Sequence, residues 1–239
     1  MDPYLDPGRE YDPIHPRGTD WRGLFRKLWA PIAVVIGFLI KFGFLAVKFF
    51  SIFISVAAYA LIWGWKFAIG FVAMILIHEL GHFFEAKRQG LEVTLPMFVP
   101  FLGAFVLIKN SPLNPWRNAL VALAGPAAGG LASTVFWGVG ESMNSNLFRA
   151  LAYVGFLVNL INLVPVGILD GGAVWHAIRV ARHSVAAPPG QELAIGSTYP
   201  IAIPGGGRGR AFEIGILYGL LVTLLVLGMI ATHVSQTRL

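Results

Sequence analysis

Residues 78–82 have the sequence His-Glu-Leu-Gly-His, which is the pattern His-Glu-x-x-His at the end of an apolar run. Positions i and i+4 of a helix lie on one face, so His78 and His82 point the same way and can bind one Zn²⁺. Glu79 would lie beside this metal, where it can take a proton from a water molecule. Ionisable groups in apolar helices usually mark function. The pattern predicts hydrolytic zinc chemistry, but a catalytic zinc needs a third protein ligand.

A carboxylate suited to that role lies in residues 162–172, Asn-Leu-Val-Pro-Val-Gly-Ile-Leu-Asp-Gly-Gly. Glycine and proline around Asp170 predict a helix broken near membrane depth, which is tolerated where backbone is buried in protein or lines a cavity. With Asp170, a His₂-carboxylate site with an open fourth position is complete. The alternative role of Asp170 is to cap a helix that starts at Gly171.

The composition is that of a membrane protein. Of 239 residues, 56% are hydrophobic and 13% are charged, whereas soluble domains carry about 25% charged residues. Several apolar runs are long enough to cross a bilayer. The net charge of +6 most simply serves membrane topology and contact with anionic lipid, and no pattern indicates a nucleic-acid partner. There are no cysteines, which excludes cysteine metal ligands.

We predict an all-α polytopic membrane protein with about five to six transmembrane helices and a short β-hairpin or re-entrant segment near the active site. The apolar stretch at residues 31–65 forms either two short spans or an interfacial helix followed by one span. Lys41 and Lys48 interrupt it, and we expect both to snorkel to the membrane surface. The other predicted spans are residues 67–89, 117–139, 147–164 and 212–230.

The predicted organisation has five parts. They are a disordered tail and interfacial segment (1–28), an N-terminal membrane segment (29–66), a catalytic membrane core (67–183), a cytoplasmic loop (184–210), and a C-terminal span with its tail (211–239). Basic residues flank the loop after the His-Glu-x-x-His helix and the loop after Asp170, so both are expected in the cytoplasm. The same rule favours five spans, with six if the N-terminus lies outside.

Together, the two motifs resemble the signature of the site-2 proteases, which are intramembrane zinc metalloproteases. That signature is His-Glu-x-x-His on one transmembrane helix and Asn-x-x-Pro-x-Pro-x-Leu-Asp-Gly on a later one. The Gly125-Pro126 element between them also looks like the family's. The resemblance covers residues 67–182 and corresponds to a compact form without a PDZ domain. One departure is Gly167, where the family often has a second proline.

The resemblance implies specific roles for these residues. His78, His82 and Asp170 would hold one Zn²⁺ per chain, and Glu79 would act as general base and then general acid. Asn162 would stabilise the oxyanion or position the substrate, and its alternative role is a helix–helix hydrogen bond. The implied substrate is a transmembrane protein in the lipid bilayer of a bacterial-type cell membrane. Neither its identity nor the oligomeric state follows from the sequence.

Residues 91–110 contain prolines, a glycine and β-forming residues, which predicts a hairpin or re-entrant piece. Helical peptide bonds are shielded, so a substrate helix must unwind before it is cut. An exposed strand edge beside the metal would hold the unwound segment by β-augmentation, as site-2 proteases are thought to do. The predicted substrate-binding edge consists of Gly103, Ala104, Phe105, Val106 and Leu107.

Two other functions remain open at this stage. A non-catalytic zinc-binding membrane protein or transporter could use the same ligands, although it would not need Glu79 directly after His78. An unrelated membrane zinc protease could instead take Glu213, a late carboxylate, as its third ligand. We expect Glu85 to face the interface, and His176 and His183 to be polar-face residues rather than ligands.

Overall fold

Six helices run through the part of the chain that the computed structural model describes, residues 21–101, 103–109, 114–186, 202–203 and 207–237. The helices are α1 (Trp21–Trp63), α2 (Trp65–Arg88), α3 (Pro115–Ser142), α4 (Asn146–Asn162), α5 (Asp170–His183) and α6 (Arg208–Thr237). Four short strands pair two by two: β1 (Met97–Val99) with β2 (Gly103–Phe105), and β3 (Val185–Ala186) with β4 (Ala202–Ile203). The predicted tail at residues 1–20 and most of the loop before α6 lie outside the described residues.

Four helices are long and apolar enough to cross a membrane, at Lys41–Trp63, Trp65–Arg88, Pro115–Ser142 and Arg208–His233. Helix α1 is continuous and contains one candidate span, Lys41–Trp63, which agrees with the one-span alternative for residues 31–65. Helix α4 is also apolar, but it has 17 residues and ends at Asn162, two residues before the predicted end. With α4 the described residues contain five apolar helices, and the predicted all-α membrane architecture with a hairpin is confirmed.

The chain divides into two compact units, residues 1–46 and 47–239, and the site described below lies within the second. In that unit α3 packs against α2, α4, α5 and α6. Its small residues permit this: Gly81 of α2 lies against the backbone of Ala124, Gly129 lies against Asn159 of α4, and Gly130 lies against a leucine of α6. Close approach over small residues is how transmembrane helices associate, as the small residues in the sequence of α3 predicted.

Two apolar clusters fill the second unit. One joins α3, α4, α5 and α6 around Leu163, Val174 and Ile214. The other joins the end of α1 with α2, α4 and β1 around Val72 and Leu151. The first cluster fixes the start of α5 against α3, and the second fixes α2 against the hairpin. Both contacts hold elements that carry residues of the site described below.

The predicted hairpin is present, with the antiparallel register Met97↔Phe105, Phe98↔Ala104 and Val99↔Gly103. Helix α1 occupies the outer edge of β1. Lys48 Nζ donates to the carbonyl of Leu95 at 2.9 Å, and the Phe98 N–H donates to Ser51 Oγ at 3.2 Å. Lys48 is 6% exposed, so the expectation that it snorkels is wrong, because the neighbouring hairpin supplies an acceptor inside the protein.

We expect Ser51→Ala to loosen the hairpin, because the buried Phe98 N–H loses its acceptor. A buried donor left unpaired costs about 1–3 kcal/mol. Amide hydrogen exchange across β1 should therefore be at least about five-fold faster than in the wild type.

Ser142→Ala is the matched control, since the exposed Ser142 hydroxyl bonds only within its own helix, to the Val139 carbonyl. Equal exchange rates in Ser51→Ala and wild type would show that the α1 contact does not hold the strand.

Candidate active site

Helices α2 and α5 bring His78, His82 and Asp170 together. His78 Nε2 lies 3.2 Å from Asp170 Oδ2, and His82 Nε2 lies 3.2 Å from Asp170 Oδ1. The two Nε2 atoms are 3.1 Å apart. The three predicted ligands therefore present one donor atom each to a common point, although Asp170 is far from the histidines in sequence.

Hydrogen bonds to the other ring nitrogens set the tautomer of both histidines. Asn159 Nδ2 donates to the Gly155 carbonyl at 2.7 Å, so Asn159 Oδ1 is the atom that faces His78 Nδ1, at 2.7 Å. His82 Nδ1 lies 2.8 Å from the Val121 carbonyl, which can only accept. Both Nδ1 atoms must therefore carry a proton and donate it. In neutral rings, the two Nε2 atoms then have free lone pairs.

This arrangement fits a zinc ion. Two lone pairs and a carboxylate at 3.1–3.2 Å from one another repel unless a proton or a metal cation lies among them. Tetrahedral ligands at about 2.0–2.1 Å from zinc would be about 3.3–3.4 Å apart, close to the separations seen. Asp170 does not cap α5, because the helix begins at Asp170 itself and its N-cap, Leu169, makes no side-chain cap bond.

Gly125 of α3 makes room for the His82 imidazole. A β-carbon at this position would overlap the ring atoms Nε2 and Cε1 of His82. The Gly125-Pro126 element predicted from the sequence therefore lies directly against a ligand. The ring is held between a glycine on one side and its hydrogen bond to Val121 on the other, so its orientation is determined by α3.

The ligands open into a cavity of about 860 Å³. Glu79, which is 6% exposed, and Asn162 both line it, as does the exposed His176. Four of the five predicted substrate-binding residues also line it: Gly103, Ala104, Phe105 and Val106. Leu107 does not, and it is 57% exposed. The roles of Glu79, Asn162 and the strand stay predictions.

The other candidate ligands lie elsewhere. Glu213 pairs with Arg210 at 2.6 Å and is not grouped with the histidines, so Asp170 is the carboxylate that the fold selects. Glu85 pairs with Arg88 on the exposed side of α2. His183 Nδ1 donates to the carbonyl of Arg179 at 2.8 Å.

Two groups that position the ligands were missed in the sequence. Asn159 had one available signal, because it is an amide in the apolar second half of α4, one turn before Asn162. The Val121 carbonyl had none, since every residue has a carbonyl.

Gly167 occupies the position where the site-2 proteases often have a second proline. Its φ is +51°, which proline cannot adopt because its ring holds φ near −65°.

Comparisons with known proteins agree with this geometry. The family model described as Peptidase family M50 matches residues 66–145, which include His78, Glu79 and His82. A zinc metalloprotease of Methanocaldococcus jannaschii is 27% identical over 183 residues, 72% of this chain and 51% of that protein. A chloroplastic protein of Arabidopsis thaliana, named a probable zinc metalloprotease, is 30% identical over 156 residues. The match covers 59% of this chain and 28% of that protein.

The family-model match to residues 66–145 and the relatives named as zinc metalloproteases confirm the resemblance drawn from the two motifs. The names of the relatives and the cluster of His78, His82 and Asp170 agree on zinc as the metal. The chain spans about half the length of the Methanocaldococcus jannaschii protein and less of the Arabidopsis thaliana one.

We expect His78→Ala and Asp170→Ala to lose the metal. Each change removes one of three ligands, so zinc content should fall from about one per chain to near zero in folded protein. Metal analysis after purification measures this directly. His176→Ala is the matched control, because His176 lines the same cavity without belonging to the ligand group. Full zinc content in both ligand variants would refute the assignment.

Gly125→Ala is expected to weaken zinc binding without touching a ligand, because the new methyl group displaces the His82 ring. Gly138→Ala in the same helix is the control, since a β-carbon there meets no atom within 4 Å. A zinc chelator competition should show a loss of about ten-fold or more in affinity for Gly125→Ala alone. Equal zinc affinities in Gly125→Ala and Gly138→Ala would show that the His82 ring still binds the metal beside the new methyl group.

Proposed function

We propose that this protein is an intramembrane zinc metalloprotease that hydrolyses peptide bonds within or near the transmembrane segments of other membrane proteins. The observation that carries the proposal is the convergence of two histidine lone pairs and the Asp170 carboxylate beside Glu79. The cavity gives this group access to a polypeptide. The relatives named as zinc metalloproteases support the same reaction class.

Glu79 and Asn162 each have a part in this reaction beside the three proposed metal ligands. Bound zinc would polarise the scissile carbonyl and acidify a water molecule. Glu79 takes a proton from the attacking water and delivers it to the leaving amide nitrogen, so the peptide bond is exchanged for a carboxylate and an amine. Asn162 lines the same cavity, and in this proposal its amide donates to the developing oxyanion.

The membrane side of the site follows from charge. Lys87 and Arg88 end α2, and Arg208 and Arg210 begin α6. By the positive-inside rule these ends favour the cytoplasm, and this supports an orientation with the metal site towards the cytoplasmic face of a cell membrane. Cleavage there would release the soluble part of a membrane-tethered protein into the cytoplasm. Release of this kind is called regulated intramembrane proteolysis.

The hairpin offers one edge to a substrate. Because the Phe98 N–H points to α1, its partner Ala104 belongs to a pair without mutual hydrogen bonds and directs its own N–H and C=O to the opposite edge. The Thr94 N–H bonds to the Leu107 carbonyl, which continues the alternation. Ala104 and Val106 therefore carry the outward backbone groups, whereas Phe105 faces Met97.

We expect Glu79→Gln to abolish cleavage and keep the zinc. Glutamine retains the size of the side chain and loses its basicity, and general acid–base catalysis is typically worth about 10²–10⁴-fold. The assay is cleavage of a panel of transmembrane substrates by purified protein, followed by mass spectrometry.

Glu85→Gln is the control, because Glu85 lies on the same helix and bonds to Arg88 outside the cavity. Wild-type rates in Glu79→Gln would refute Glu79 as the general base. Absence of cleavage by the wild-type protein would bring forward the non-catalytic zinc-binding or transport function.

Ala104→Pro tests the strand edge. Proline removes the outward N–H at the position where a substrate strand would pair, and the loss of this bond should lower cleavage about ten-fold. Ala104→Ser keeps the amide and should cleave at close to the wild-type rate. Circular dichroism and zinc content establish that both variants are folded. Normal cleavage by Ala104→Pro would exclude pairing at this edge.

A further inference from the structure

We propose that the end of the cavity formed by Tyr59, Phe71 and Phe101 is a side-chain subsite that selects a large apolar residue of the substrate close to the scissile bond. The proposal rests on the proteolytic function and adds a specificity determinant to it. The three residues come from different elements: the end of α1, the middle of α2, and the turn of the hairpin. All three line the cavity that contains the metal ligands.

The aromatic rings build this surface around Tyr59, which is 6% exposed. Its ring meets the edge of Phe71 at a centroid distance of 5.0 Å and that of Phe101 at 5.5 Å. Trp63 stacks on Tyr59 with a centroid distance of 5.6 Å, so the Tyr59 ring packs against three other aromatic rings. Met74, whose side chain is flexible and apolar, lines the cavity beside them. Such a surface binds aliphatic or aromatic side chains and disfavours charged ones.

Phe101 supplies a second, independent observation. Its φ is +65°, a backbone conformation that is unfavourable for a residue with a bulky side chain, and its side chain is 62% exposed. Strained backbone conformations are often found at functional sites. Here the Phe101 ring contacts Tyr59 and adds an apolar surface to this end of the cavity.

The position of the subsite suits an extended substrate. Phe101 lies shortly before β2, so a strand paired along Ala104 and Val106 runs past the aromatic rings. Successive side chains of a strand point to opposite faces, and those two residues apart lie about 6.6–7 Å from each other on one face. Phe71 precedes His78 by two turns of α2, about 10 Å. A substrate side chain in the aromatic end would therefore lie about three strand residues from the bond at the metal ligands.

The test is a set of transmembrane substrates in which each residue flanking the cleavage site is changed in turn to Ala, Leu, Phe or Asp. We expect one position at which wild-type protein cuts the Leu or Phe substrate about ten-fold or more faster than the Ala substrate, with Asp the slowest. In Phe101→Ala the Leu-to-Ala ratio at that position should fall to about three or less.

Phe84→Ala is the matched control, because Phe84 is also 62% exposed but does not line the cavity, and its Leu-to-Ala ratio should equal that of the wild type. Cleavage without a side-chain preference, or an unchanged ratio in Phe101→Ala, would overturn the subsite while leaving the proteolytic function intact.

A second measurement does not depend on turnover. Substrate segments carrying the photoreactive residue p-benzoylphenylalanine near the cleavage site are bound to Glu79→Gln protein and irradiated, and the attachment points are mapped by mass spectrometry. We expect cross-links to Tyr59, Phe71 or Phe101 from one substrate position. Cross-links confined to other parts of the chain would overturn the subsite. Absence of cleavage by wild-type protein combined with cross-links at the aromatic end would instead refute the proteolytic function alone.

Discussion

The repulsion among three electron-rich atoms is the constraint on which the rest of the structure depends. His78 Nε2, His82 Nε2 and the Asp170 carboxylate lie within 3.2 Å of one another, while the protons of both imidazoles are engaged on their far sides. A proton or a metal cation among these atoms would relieve the repulsion. A zinc ion bound there would link α2 to the start of α5 through these three side chains. Chelation should affect the fold as well as the chemistry.

Helix α3 acts as the scaffold of the site without supplying a ligand. Its Val121 carbonyl orients one imidazole, Gly125 leaves space for the same ring, and Gly129 lets Asn159 approach closely enough to orient the other. In a bilayer the hydrophobic effect contributes little to helix association, which is driven instead by close packing and hydrogen bonds between helices. The small residues of α3 thus serve packing and metal geometry at once, which explains why they face α2 and α4 together.

The hairpin is asymmetric in a way that suits peptide binding. Lys48 and Ser51 occupy the outer edge of β1, and the cavity lies along β2. An unpaired strand edge is a liability in a lipid environment, because its polar groups lack partners. Covering one edge with α1 and directing the other into a cavity limits this cost. In the proposed function, this open edge is where an unwound substrate segment would pair.

The sequence by itself determined the chemistry and most of the elements. The spacing of His78 and His82 on one helix face, the polar Asp170 segment and the small residues of α3 were each visible as local patterns, because helix periodicity and residue type act over a few positions. The hairpin at residues 91–110 was visible for the same reason. The role of Asn162 in stabilising the oxyanion or positioning the substrate stays a prediction, and the structure adds that this residue lines the cavity.

Only the tertiary structure decided which partners each polar group has. It placed Asn159 and the Val121 carbonyl behind the ligands, brought Asp170 rather than Glu213 to the histidines, and bonded Lys48 to the hairpin instead of the membrane surface. The physical reason is common to all of these outcomes. Hydrogen-bond partners across helices depend on how rigid elements pack over tens of residues, and a backbone carbonyl carries no sequence signal at all.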